Sequence, residues 1–246
     1  MAKSEYLTAP LKTTGMPPGV PFIVGNEAAE RFSFYGMNSI LVVFMTKYML
    51  DAQGQPAHFS PEKANEWYHN FATLVYFLPI LGALLADAFI GKFWTVMILS
   101  VVYCLGHLAL AINVTQAGLL VGLGLIALGA GGIKPCVSAI VGDQFGQSNQ
   151  HLMQRVYNWF YFSINCGSAF STILIPWLLD NPSYGSHWAF GTPGILMLVA
   201  TVVFWLGRKR FVHIPPAGAA FFQELLNADA LKAIGNLLIL CPFVGM

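Results

Sequence analysis

Six stretches of this chain are each about twenty residues of mainly apolar character, the length an α-helix needs to cross the hydrocarbon core of a bilayer. They fall near residues 21–49, 67–89, 94–113, 117–141, 157–179 and 189–207. With no water in that core to serve the backbone, runs of this length fold as helices that satisfy their own amides. The expected fold class is therefore all-α and polytopic, with the lipid bilayer as solvent. Composition agrees, with 9% charged and 56% hydrophobic residues, where soluble domains carry roughly 25% charged residues. A net charge of +1 and the lack of a basic block with interleaved aromatics speak against nucleic acid as a partner.

The spacing of the runs divides the chain into an N-terminal tail (1–20), a six-helix transmembrane bundle (21–207), a connector with a short amphipathic stretch (208–230) and the start of a seventh helix (231–246). The tail holds Lys3, Glu5, Lys12 and a Pro-Pro pair, and lacks the apolar core and cleavage site of a secretory signal. The last run is too short to cross, so the chain is read as the N-terminal portion of a longer protein. Lys3, Lys12, Lys92, Arg155, Arg208, Lys209 and Arg210 fall on one side, and Lys63, with Lys47 at a helix end, on the other. The bias of positive charge in short loops then places the N-terminus in the cytoplasm, and the expected location is the cytoplasmic (inner) membrane. Cys104, Cys136, Cys166 and Cys241 stand singly in apolar runs, a pattern of small packing residues rather than of disulfides or a metal site.

Against this background GNEAAERFSFYG, residues 25–36, is the anomaly. At 100° per residue, Glu27, Glu30, Arg31, Tyr35 and Asn38 fall within about 140° of arc. Arg31 lies roughly 15 Å beyond Pro21 at 1.5 Å per residue, near the middle of the bilayer core. A charge there costs about 2.5 to 3.5 kcal/mol even on insertion scales, so this face cannot meet lipid. One explanation is an intrahelical pair, Glu27 with Arg31 at i, i+4, which ties the bundle together but leaves Glu30 without a use. The other is a shared watery cavity. His69 and Tyr76 lie seven residues apart on the second helix, Tyr161 and Asn165 four apart on the fifth, and Lys134 supplies a second deep cation. Two cations, two carboxylates and several Tyr and Asn groups suit a zwitterionic ligand.

The fourth run pairs Gly118 with Gly122, spaced for close helix contact. Gly129, Gly131 and Gly132 precede Lys134 and Pro135, a pattern that predicts a locally bendable helix carrying a charge. In GALLADAFIGKFW, Asp87, Gly91 and Lys92 resemble the signature between the second and third helices of the major facilitator superfamily, in which the Asp caps and latches neighbouring helices.

Three longer motifs, Glu27-Ala-Ala-Glu30-Arg31-Phe32-Ser33-Phe34-Tyr35-Gly36, GAGGIKPCVSAIVGDQF (129–145) and FYFSINCGSAFS (160–171), occur in order. Together they resemble the signatures of the proton-coupled oligopeptide transporter family. The resemblance implies the N-terminal six-helix half of a major facilitator superfamily transporter, with the C-terminal bundle of the same protein as its partner. It implies symport of di- and tripeptides with protons by alternating access, with no cofactor besides the coupling ion. Arg31 and Lys134 would bind the peptide carboxylate, and Tyr35, Tyr76, Tyr161 and Asn165 would line the pocket. Glu27, Glu30 and His69 would handle the proton. Two positions depart from relatives: Asn38 stands for a frequent Arg, and Phe44 for an occasional Tyr, which bears on peptide length and carboxylate affinity. No GxSxG, HExxH or paired-Asp motif argues for an enzyme. The competing readings are a carrier of another anionic or zwitterionic solute, such as nitrate, and a non-transporting structural subunit.

Overall fold

The computed structural model describes residues 6–227 together with 230, 232, 235 and 236. Six long helices dominate them: α1 (Val20–Lys47), α2 (Pro61–Leu84), α3 (Lys92–Ile112), α4 (Gln116–Asp143), α5 (Met153–Asp180) and α6 (Gly185–Leu206). A short α7 (Ala219–Leu225) follows in the connector. The seventh apolar run lies mostly outside the described residues. Helices α2 to α6, with their short extensions, are long and apolar enough to cross a membrane. At 28 residues α1 has the same reach, but Glu27, Glu30, Arg31 and Lys47 break its apolar character.

Several boundaries follow from local chemistry. Helix α2 begins at Pro61 rather than near 67, because Ser60 caps it, accepting from the Lys63 amide at 3.3 Å, and proline is preformed for the first turn. Thr115 caps α4 in the same way through the Gly118 amide. After α2 the chain widens into a π-helical turn, Leu85–Ile90, and reverses at Gly91, whose φ of +81° is one that glycine adopts without strain.

At the start of α3 the N-cap residue is Gly91, with no side-chain cap. Asp87 lies in the preceding π-helical turn, and its backbone carbonyl accepts from the Ala217 amide of the connector at 2.8 Å. Lys92 Nζ donates to Asp143 Oδ2 at 2.8 Å and so ties the start of α3 to the end of α4. The tail is fastened at this same end. Leu7 bridges Val212, the His213 amide donates to the Leu7 carbonyl at 2.7 Å, and Ser148 Oγ donates to the Thr13 carbonyl at 2.9 Å.

Within the bundle α1 packs on α5 and α6, α3 on α4 and α6, and α2 on α4. The α4 glycines serve these contacts, and α4 continues as one helix through Pro135. Added β-carbons would collide with Tyr103 at Gly129, with Leu78 at Gly131 and with Leu99 at Gly132. A Cβ at Gly82 on α2 would run into the Gly132 Cα, so the two backbones touch there. Of the Gly118 and Gly122 pair, Gly122 packs on α3 at Leu110 and Gly106, whereas Gly118 faces Asn113 of its own entry loop.

Replacing Gly82 with Leu should force α2 from α4 and cost at least about 1–3 kcal/mol, the range for overpacking. Gly124→Ala, where a Cβ meets nothing within 4 Å, should be neutral or stabilising. Thermal unfolding of the detergent-solubilised variants separates the two, and equal stability would contradict the close α2–α4 approach.

Candidate functional site

The sequence E-x-x-E-R places three ionised groups within little more than one turn, and the bundle closes over them. Glu27 is 4%, Glu30 0% and Arg31 7% exposed. Arg31 Nε donates to Glu27 Oε1 at 2.7 Å and lies 2.8 Å from Glu30 Oε2. A single N–H points along one line only, so the Glu30 contact is ionic without being a hydrogen bond. Both Glu30 oxygens and Glu27 Oε2 are sealed from solvent without a hydrogen-bond partner. The i, i+4 pair therefore exists, and Glu30 joins it instead of standing apart. The two terminal nitrogens of Arg31 make no protein hydrogen bond and are not among the sealed polar atoms. A bidentate donor edge is thus left open for an anion. Two residues on, Ser33 Oγ lies 2.9 Å from the Ala29 carbonyl and 2.7 Å from the Pro193 carbonyl, joining α1 to α6.

Lys134 occupies a second station. Its ammonium sits 4.4 Å above the Phe34 ring and 5.7 Å from the Tyr76 ring, and Phe34 in turn stacks on Phe71. Cation–π contact of this kind holds a charge without an anion. No carboxylate lies within ion-pair distance of Lys134 among the described residues, though Glu30, Arg31 and Glu27 are within electrostatic reach.

The remaining expected residues are exposed on the bundle and not enclosed in a cavity. Tyr35 is 37%, Tyr161 58% and Tyr76 80% exposed, and His69 and Asn165 are exposed too. The His69 ring packs edge-on against Tyr68, whose hydroxyl accepts from Asn38 Nδ2 at 3.2 Å. Asn165 Nδ2 donates back to the Tyr161 carbonyl at 2.8 Å. Asp87, Gly91 and Lys92 belong to the end of the bundle where Lys92 meets Asp143. Cys104, Cys136 and Cys166 are free thiols.

Sequence reasoning overlooked four sealed polar residues: Asn26 on α1 and Ser100, Tyr103 and His107 on α3. A signal was present, because spacings of i, i+3 and i+7 put the α3 trio within about 60° of arc. Each is individually an ordinary residue of an apolar helix, and the stripe shows only when the three are read together.

The POT family model (PTR2) matches residues 93–232. Solute carrier family 15 member 2 of Homo sapiens is 42% identical over 215 residues, 82% of this chain and 28% of that protein. Peptide transporter family 1 of Drosophila melanogaster is 40% identical over 88% of this chain and 30% of its own length. Among solved structures, the POT family transporter PepTSo is similar with a TM-score of 0.75 and 48% identity, covering 82% of this chain and 39% of that one. A POT peptide transporter in complex with sulfate gives a TM-score of 0.75 at 29% identity, over 97% of this chain and 49% of that one. The chain thus spans under a third of the length of these two curated relatives. With the family model matched over more than half of its residues and the bundle superposing on two family structures, this chain belongs to the POT family.

Proposed function

We propose that the protein carrying this chain moves di- and tripeptides across the cytoplasmic membrane together with protons, by alternating access, with its N-terminus in the cytoplasm. The observation that carries the reading is the Glu27–Arg31–Glu30 cluster: a buried guanidinium between two carboxylates, its terminal nitrogens making no protein hydrogen bond. Relatives named as peptide transporters support the substrate class.

Charge arithmetic supports the coupling. Two carboxylates against one guanidinium leave the cluster one negative charge in excess, and Lys134 stands near without pairing. A peptide carboxylate arriving at Arg31 adds a second negative charge at low dielectric. Like charges so placed repel strongly unless one is neutralised. A proton taken up by Glu30 or Glu27 removes the excess and loosens Arg31 for its ligand, while Lys134 supplies the second cation. Release of both toward the cytoplasm restores the original contacts. His69, exposed with its ring edge-on to Tyr68, is the residue we assign to passing the proton. Tyr35, Tyr76, Tyr161 and Asn165 line the open face for the peptide backbone, and the C-terminal bundle of the same protein covers that face, as expected for rocking halves. The clustering of Lys12, Lys92, Arg155, Arg208, Lys209 and Arg210 at one end supports the orientation.

Two predictions test this in vesicles holding the full-length protein and a labelled dipeptide. Arg31→Ala should abolish uptake and leave Glu27 and Glu30 as unpaired buried charges; an unchanged rate removes Arg31 from the site. Glu30→Gln should retain peptide exchange across the membrane but lose pH-driven accumulation, and preserved accumulation would count against the coupling role.

A further inference from the structure

The N-terminal tail and the connector are joined to each other and to the bundle by contacts that the proposed cycle does not use. Phe211, 1% exposed, is the deepest of them. Its ring meets Phe204 of α6 at 4.8 Å, Phe93 of α3 at 6.2 Å and Phe22 of α1 at 6.3 Å. A β-carbon on Gly19 would collide with that ring and with the Arg210 carbonyl, so the connector lies directly on the start of α1. Gln144, buried just after α4, accepts from the Val212 amide through Oε1 at 3.0 Å and donates from Nε2 to the Ile140 carbonyl at 2.8 Å. A buried amide used at both ends fixes the backbone it holds. The tail covers this joint. The Leu7 carbonyl accepts from the His213 amide at 2.7 Å, the Tyr6 ring stacks on the His213 ring at 4.5 Å, and His213 Nε2 donates to the Arg208 carbonyl at 2.7 Å. Farther along, Thr13 and Gly15 accept through their carbonyls from Ser148 Oγ and Asn149 Nδ2, at 2.9 and 3.3 Å. The tail thus ties the connector to the loop between α4 and α5.

The last of these anchors is Ala217, whose amide donates to the Asp87 carbonyl at 2.8 Å. Gly218 follows with φ +60° and ψ −134°, a conformation open to glycine, and no atom stands within 4 Å of where its β-carbon would be. Beyond it α7 meets the π-helical turn through Phe222, whose ring lies 6.2 Å from that of Phe89. From this geometry we infer that residues 6–15 form a strap that makes connector residues 211–217 a rigid part of the bundle, and that Gly218 is the hinge about which the rest of the connector turns. Rocking one half of a transporter against the other requires the chain between them to bend somewhere, and hinges are a few loop residues that absorb the change. Residues held by a buried ring, a buried amide and backbone bonds resist bending. An uncrowded glycine does not. The pull of a moving partner half then ends at Ala217 and does not reach α6, whose Pro193 carbonyl holds Ser33 of the charged helix. The hinge rests on the alternating-access reading; the strap does not.

Hydrogen exchange of the purified full-length protein, read by mass spectrometry, tests the strap without any solute. Deleting residues 2–15 should raise exchange of the 211–217 amides about tenfold and leave the amides of α1 to α6 unchanged. A milder variant, Tyr6→Ala with Ser148→Ala, removes the ring stack and one tie, and should raise it about threefold even where the deletion prevents insertion. Unchanged exchange at 211–217 overturns the strap. For the hinge, two glycines inserted after Gly218 should leave dipeptide uptake into vesicles within about twofold, because a flexible joint tolerates added length. The same insertion after Phe211 displaces Val212 from Gln144 and His213 from Leu7, and should lower uptake about tenfold or more. Equal effects of the two insertions overturn the hinge. Strap protection that falls as expected, in a protein whose unaltered form takes up no dipeptide, upholds the strap and overturns the transport reading instead.

Discussion

Arg31 cannot be separated from its carboxylates and remain in hydrocarbon, and the arrangement of the bundle follows from that. Removing one partner of a buried ion pair costs about 3–5 kcal/mol, because the other charge stays behind. The α1 face bearing Glu27, Glu30 and Arg31 must therefore be walled by protein, and α5 and α6 pack along α1. The tie from Ser33 to the Pro193 carbonyl is one consequence. Proline at 193 removes the donor that the Ala189 carbonyl would receive, whereas the α1 hydroxyl meets the carbonyl of Pro193 itself. The charged helix is thus more deeply enclosed than its composition suggests: fifteen of its 28 residues are buried.

How much of this was legible depended on the range of the interaction concerned. Spans were legible because apolar length is a local property, and the ExxER arc because one helix carries all its members. The early start of α2 was also within reach: Ser60-Pro61 is a start signal that hydropathy hides behind Glu62 and Lys63. The pairing of Lys92 with Asp143 was not, since 51 residues separate them and no periodicity links the ends of α3 and α4. Gly129, Gly131 and Gly132 were ambiguous for a related reason. Flexibility and close approach ask for the same residue, and the close approach shows only in the positions of Tyr103, Leu78 and Leu99.

Burial is shared unevenly, and the unevenness carries functional meaning. The apolar cores of α2 and α5 are only 22% buried, against 61% for α4. Phe77, Ile80 and Leu81 of α2 and Trp159, Phe162 and Ile173 of α5 are all exposed. Taken alone, these side chains would suit acyl chains as well as another protein surface.

Polar residues on the same two helices decide against lipid for part of that surface. His69 and Tyr76 stand on α2 and Tyr161 and Asn165 on α5, all exposed, with Lys134 partly buried behind Tyr76. An ammonium and an imidazole facing hydrocarbon would repeat the penalty that α1 avoids by pairing. The two helices therefore present mixed surfaces, in which exposed apolar side chains stand beside exposed polar ones. Arg31 offers its terminal nitrogens from the edge of the buried charge cluster, and Lys134 stands partly buried beside Tyr76. A ligand carboxylate drawn to Arg31 would thus be taken from those exposed polar residues toward the charged core, where each unit of charge it brings must be answered by a proton or by Lys134.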